Sequence, residues 1–184
     1  MANFTLRKES TGLLVIDVQD RLFRLVERSC EVMQTLQKVI KGFQVLDLPI
    51  VVTEQYPEGL GPTVGTLKTV LGPEQTYFSK TSFSCMGESS LKEYILDQPI
   101  EQWVLTGIEA HVCVLQTAKD LLAAGKDVVI LNDAITSRSI YDFSTAIAEL
   151  RDCGARISTA ETVMFELLRD SKSPEFKAMS ELIK

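Results

Sequence analysis

Six short apolar runs punctuate the chain, at residues 11–18, 50–53, 77–80, 102–106, 127–131 and 156–159. The first, TGLLVIDV, is almost continuously apolar, which suits a parallel strand buried on both faces. Between the runs the apolar spacing changes to that of a helix. From residue 30 to 46, Val32, Leu36, Val39, Ile40, Phe43 and Leu46 mostly recur at three- and four-residue steps. Residues 89–96, 112–124 and 141–153 read in the same way, with Gly125 and Gly154 as helix stops, and 161–168 and 174–183 read as terminal helices. Such alternation predicts an α/β fold, a three-layer α/β/α sandwich whose six-stranded parallel sheet is joined by right-handed crossovers. With 184 residues, 45% of them hydrophobic, the chain supports one core and one domain spanning 1–184. Residues 54–65, EQYPEGLGPTVG, are rich in Gly and Pro and read as an irregular loop.

The charge pattern narrows the partners. Net charge is −6 and the Lys and Arg residues are scattered, so neither nucleic acid nor an anionic membrane surface is an expected partner. No run approaches the ~20 apolar residues of a membrane span, and MANFTLRKES lacks the apolar core of a signal peptide; a cytoplasmic location is the expectation. Cys30, Cys85, Cys113 and Cys153 form no CxxC pair, and His111 is the one histidine, so the expectation is no metal site and reduced thiols.

In an open parallel sheet, ligands bind beyond the carboxyl ends of the strands. In the stretch VLTGIEAHVC the fourth apolar run stops near Gly107, and Cys113 stands where the next helix should begin. Free backbone N–H groups and the helix dipole favour a thiolate there. Asp17 and Lys80 close the first and third runs. A thiol, a carboxylate to take its proton and a cation to favour the thiolate are the parts of nucleophilic catalysis, and such neighbours bring a thiol from ~8.5 to neutrality or below. Each residue also has a plainer role: turn former, surface charge, packing residue. Spacing alone leaves both readings open. Cys30 and Cys153 read as packing residues, Cys85 as a possible pocket border and Trp103 as core.

Four motifs, LLVIDVQ at 13–19, FSKTSFS at 78–84, GIEAHVCVLQTA at 107–118 and NDAITSR at 132–138, resemble in order the isochorismatase-like cysteine hydrolases. That superfamily includes nicotinamidase, N-carbamoylsarcosine amidohydrolase and the YcaC-type proteins. VTEQYPEGLGPT at 52–63 and the stretch 155–184 are closer to the isochorismatase domain-containing group. The resemblance implies a Rossmann-like topology and hydrolysis of a small amide or related C–N bond without cofactor. It implies Asp17 as general base, Lys80 between base and nucleophile, and Cys113 attacking a carbonyl carbon. It also implies a cis peptide between Ile108 and Glu109, with the Glu109 and Cys113 amides as oxyanion hole, and a homo-oligomer. Phe23, Gln55, Tyr56 and His111 are the candidate contacts to a small-molecule substrate.

Two departures narrow the resemblance. Nicotinamidases carry an Asp-x-His metal motif where this chain has Gln55-Tyr56-Pro57, which disfavours a metal-dependent nicotinamidase. His111 stands where many relatives have an acidic residue. The retained cysteine argues against a true isochorismatase. A non-catalytic binding or scaffold protein and a redox-responsive thiol protein are the alternatives.

Overall fold

The computed structural model describes residues 4–184. In chain order its elements are β1 (Thr11–Ile16), α1 (Asp20–Phe23), α2 (Ser29–Val45), β2 (Ile50–Gln55), α3 (Pro57–Leu60), α4 (Gly65–Leu71), β3 (Tyr77–Lys80) and α5 (Ser89–Asp97). There follow β4 (Gln102–Ile108), α6 (Leu115–Ala123), β5 (Asp127–Thr136), α7 (Ile140–Asp152), β6 (Arg156–Ser158), α8 (Ala160–Leu168) and α9 (Phe176–Ile183). The strands form one six-stranded sheet in the order β3-β2-β1-β4-β5-β6, with every pairing parallel. This is the α/β/α sandwich read from the sequence. Its order is that of a doubly wound sheet, in which growth reverses direction between β1 and β4.

Strand alternation divides the core into two layers. Leu13 and Val15 of β1 pack with Leu36, Ile40 and Phe43 of α2 and Val163 of α8. Leu14 and Ile16 face the other way, toward Leu91 and Ile95 of α5, Leu121 of α6 and Leu150 of α7. Burying each such side chain contributes about 1.5–3 kcal/mol, so the sheet is held from both faces. Trp103 is core, as read, and Gly12 makes room for it: a Cβ there would lie 2.9 Å from Trp103 Cζ3.

The differences lie at the strand ends. β1 stops at Ile16 rather than residue 18, because Asp17 turns the chain with φ 53°. β2 runs on to Gln55, so the segment 54–65 is less irregular than its Gly and Pro content suggests. Pro57 opens α3, where its missing N–H is no loss, and Gly65 opens α4. Buried Glu54 pins this segment, its Oε1 accepting from Thr63 N at 2.6 Å and Thr63 Oγ1 at 2.7 Å. β5 continues past Leu131 to Thr136, and its register against β4 shifts between Leu105 and Gly107. Cys30 and Cys153, read as packing residues, are exposed on the outer faces of their helical segments.

Candidate active site

Strand order gathers the candidate residues. Asp17 leaves the end of β1, Lys80 closes β3, and the intervening β2 supplies Thr53 and Gln55, which as alternate residues face the same side of the sheet. Lys80 Nζ donates to Asp17 Oδ2 at 2.7 Å, Gln55 Oε1 at 2.7 Å, Phe83 O at 2.9 Å and Ser82 O at 3.2 Å. An ammonium has three protons, so these four acceptors occupy all of them. Asp17 Oδ1 accepts from Thr53 Oγ1 at 2.7 Å. Neither side chain of the Asp17–Lys80 pair reaches solvent. Burial alone would lower the Lys80 pKa, but the Asp17 carboxylate outweighs it and holds the ammonium above the usual lysine value.

Cys113 lies on a π-helical turn, Ala110–Val114, that leads into α6. A regular helix from about residue 112 was the expectation. Instead Glu109 O accepts from Val112 N at 3.1 Å and Val114 N at 3.2 Å, and the second bond, five residues back, widens the turn. The Ile108–Glu109 peptide is cis. Just before it, Gly107 has φ 110°, and a Cβ there would lie 2.1 Å from Ile16 O. That close approach of β4 to β1 lets Cys113 meet Asp17.

The environment holds a thiol rather than a standing thiolate. Burial pushes Cys113 well above the ordinary thiol range and Asp17's charge adds to this; Lys80 opposes it, while the thiol's hydrogen bond to Asp17 keeps the proton on sulfur. The lowered pKa read from the sequence is therefore corrected: the sulfur faces the carboxylate, and Lys80 has no N–H left for it.

A second thiol, Cys85, is completely buried beside the pair. Burial pushes it up to about 11, with Asp17 adding to the shift and Lys80 and the hydroxyls of Thr117 and Thr53 opposing it. A thiol with a raised folded pKa contributes stability that is present below the unfolded value and lost as pH rises above it. The urea midpoint is therefore expected to fall between pH 9.0 and about 11, and Cys85→Ala to flatten that fall.

The candidate substrate contacts separate. Phe23 packs into the core, 8% exposed. Gln55 is used internally: its Oε1 accepts from Lys80 and its Nε2 donates to Thr81 O at 2.7 Å, while Gln19 Oε1 accepts its backbone N–H at 2.7 Å. Tyr56 is 54% exposed, with its ring over Gly59. His111 directs Nδ1 to Ser137 Oγ at 3.0 Å and Nε2 toward Asp142 Oδ2 at 4.0 Å. Glu109 accepts from Arg138 through its carboxylate. Thr53, Ser137 and Arg138 escaped the sequence reading, although the last two stand inside the NDAITSR motif.

Among the described residues no group of three or more His, Cys, Asp or Glu is placed to hold a metal ion, and no helix is long and apolar enough to cross a membrane. A cleft of about 480 Å³, lined by Leu46, Leu48, Pro49 and Ile100 among others, opens at the amino-terminal edge of the sheet, opposite this chemistry.

The Isochorismatase domain profile matches residues 11–162, from the start of β1 into α8. The chain belongs to the isochorismatase family. Membership places it among the isochorismatase-like hydrolases. Isochorismatase domain-containing protein 2 of Danio rerio is 38% identical over 182 residues, covering 97% of this chain and 89% of that protein. A structure described as the MAR1 ribonuclease of Caenorhabditis elegans superposes with TM-score 0.92 at 36% identity, over 98% of this chain and 92% of that one. The YcaC gene product of Escherichia coli, described as an octameric hydrolase of unknown specificity, shares the isochorismatase fold with TM-score 0.93 at 21% identity, over 100% and 91% of the two chains.

Proposed function

We propose that the chain is a cysteine-dependent hydrolase of a small amide or related C–N bond, with Cys113 as nucleophile, Asp17 as base and Lys80 as orienting cation. The gathering of Asp17, Lys80 and Cys113 at one edge of the sheet carries this reading, with Thr53 and Lys80 holding the Asp17 carboxylate that acts on the Cys113 thiol. The sulfur attacks the carbonyl carbon as its proton passes to Asp17, so a raised thiol pKa is no obstacle. The carbonyl electron pair moves onto oxygen, where the Glu109 and Cys113 amides hold it. Asp17 then gives its proton to nitrogen as the C–N bond breaks, leaving ammonia or an amine and a thioester. Water, deprotonated by Asp17, attacks the thioester; the sulfur leaves, recovers the proton, and a carboxylic acid departs. Lys80, with no free N–H, acts on the substrate only through Asp17. No step uses a metal or organic cofactor.

RNA cleavage, named for the C. elegans neighbour, is the competing reading. Net charge −6 and a single histidine, itself engaged with Ser137 and Asp142, weigh against it. Assembly as a homo-oligomer is supported by the octamer described for YcaC. It is also supported by exposed Leu25, Tyr56, Phe83, Ile140 and Tyr141, which follow the carboxyl ends of β1, β2, β3 and β5. Light scattering should give at least twice the 20.5 kDa chain mass.

A panel of small amides should leave an acyl adduct on the native chain and none on Cys113→Ala, read by intact mass. Haloacetamide modification of Cys113 should change less than about two-fold between pH ~6 and ~8.5, because Asp17 removes the proton within the step; a free thiol gains thiolate about ten-fold per unit below ~8.5. Exposed Cys30 and Cys153 are internal controls. If no amide acylates Cys113 but peroxide oxidises it reversibly, the redox-responsive reading replaces this one; an inert Cys113 leaves the scaffold reading.

A further inference from the structure

Ser137 and Arg138 follow β5 directly and grip two side chains of the turn that carries Cys113. Arg138 Nε donates to Glu109 Oε1 at 2.9 Å, and the Arg138 backbone N–H reaches the same oxygen at 3.3 Å. Ser137 Oγ pairs with His111 Nδ1 at 3.0 Å. The gripping segment is itself tied down: Thr136 Oγ1 donates to Glu27 O at 2.7 Å, and Ser137 O accepts the Glu27 N–H at 3.0 Å. The Glu109 side chain is 10% exposed and that of Arg138 59%. Arg138 therefore fills no core space, and its charged contact goes to one carboxylate, on the residue where the chain leaves β4 for the turn.

We propose that Arg138 is a positioning residue for the oxyanion-binding amides, acting through the Glu109 carboxylate. The inference rests on the reading of the chain as a Cys113 hydrolase. Two donors from one residue onto one carboxylate oxygen restrict Glu109, whose own N–H is one of the two amides in question. Oxyanion donors work only within a few tenths of an ångström of their best distance, so a small rotation here is felt at the reacting carbon. Charge acts in the same direction. An unpaired carboxylate on Glu109, the residue that also supplies one of these amides, would oppose the build-up of negative charge on the carbonyl oxygen, and Arg138 offsets it.

Two chemistries of Cys113 separate this role from a general one. Iodoacetamide displaces iodide at a saturated carbon and forms no oxyanion, whereas p-nitrophenyl acetate acylates the sulfur through one. Arg138→Ala should slow acylation about ten- to hundred-fold, in kcat rather than KM, while iodoacetamide alkylation and melting temperature stay unchanged. Low concentrations of guanidinium should restore part of the lost acylation. Glu109→Gln, which keeps the oxygen and removes the charge, should lose less than Arg138→Ala. Equal losses in acylation and alkylation would make Arg138 merely structural, and a change confined to KM would make it a substrate contact; either overturns the proposal. Unchanged acylation in Arg138→Ala overturns it alone, whereas a native chain that is never acylated overturns the hydrolase reading with it.

Discussion

Gly107→Ala will leave little native protein. Gly107 pairs with Ile16 at the centre of the sheet, with φ 110°, where L side chains are strained. Its new Cβ would stand 2.1 Å from Ile16 O and 2.7 Å from Ile16 N, atoms of backbone that cannot swing aside as a side chain can. Relief requires β4 to separate from β1, which breaks the ladder between Thr11–Ile16 and Gln102–Ile108 and opens both core layers. A loss above about 4 kcal/mol is expected, a large share of the roughly 5–15 kcal/mol that holds an ordinary domain. Urea unfolding followed by circular dichroism checks this; a midpoint within about 0.5 M of the native chain's would contradict it, since urea slopes are roughly 1–3 kcal/mol per molar. At Gly125, where φ is also positive but no heavy atom lies within 4 Å, the same substitution should cost far less.

Asp17→Asn will damage stability and chemistry together, by separable routes. It leaves the Lys80 ammonium fully buried with no opposing carboxylate, and removing one member of a buried pair costs about 3–5 kcal/mol. It also takes away the group that accepts the Cys113 proton, so acylation should fall about 10²- to 10⁴-fold. Adding Lys80→Met removes the stranded charge. The double variant should recover much of the urea midpoint and none of the acylation. Recovery of acylation as well would mean that Asp17 serves only to balance Lys80, and the assignment of a base would fail.

The alternation of strand and helix could be read from the sequence because buried parallel strands are short apolar runs and their helices repeat at three and four residues. Asp17, Lys80 and Cys113 could be picked out because each follows such a run and a parallel sheet gathers those ends at one edge. The residues that hold them could not. Thr53 looks like any β-branched strand residue, and its use depends on a carboxylate 36 positions away. Gln55 stands before Tyr56-Pro57 and reads as loop, yet its pairing with Lys80 extends β2 and buries it. The state of the sulfur is hidden for a similar reason: the motif order points to a lysine near the cysteine, but not to Gln55 and the carbonyls of Ser82 and Phe83 that already occupy its protons. Arg138 went unassigned because its partner lies on another strand's turn.

The saturation of Lys80 sets when the site is assembled. Its hydrogen bonds reach the end of β1 two strands away, a side chain of β2 and two main-chain oxygens of the connection after β3, so they belong to the inventory that the chain must satisfy in order to fold. Immobilising a lysine side chain costs about 1.5–2 kcal/mol of rotamer freedom. Here that ordering is met once, during folding, rather than at every turnover, and the substrate's binding energy remains available for its own alignment against the sulfur.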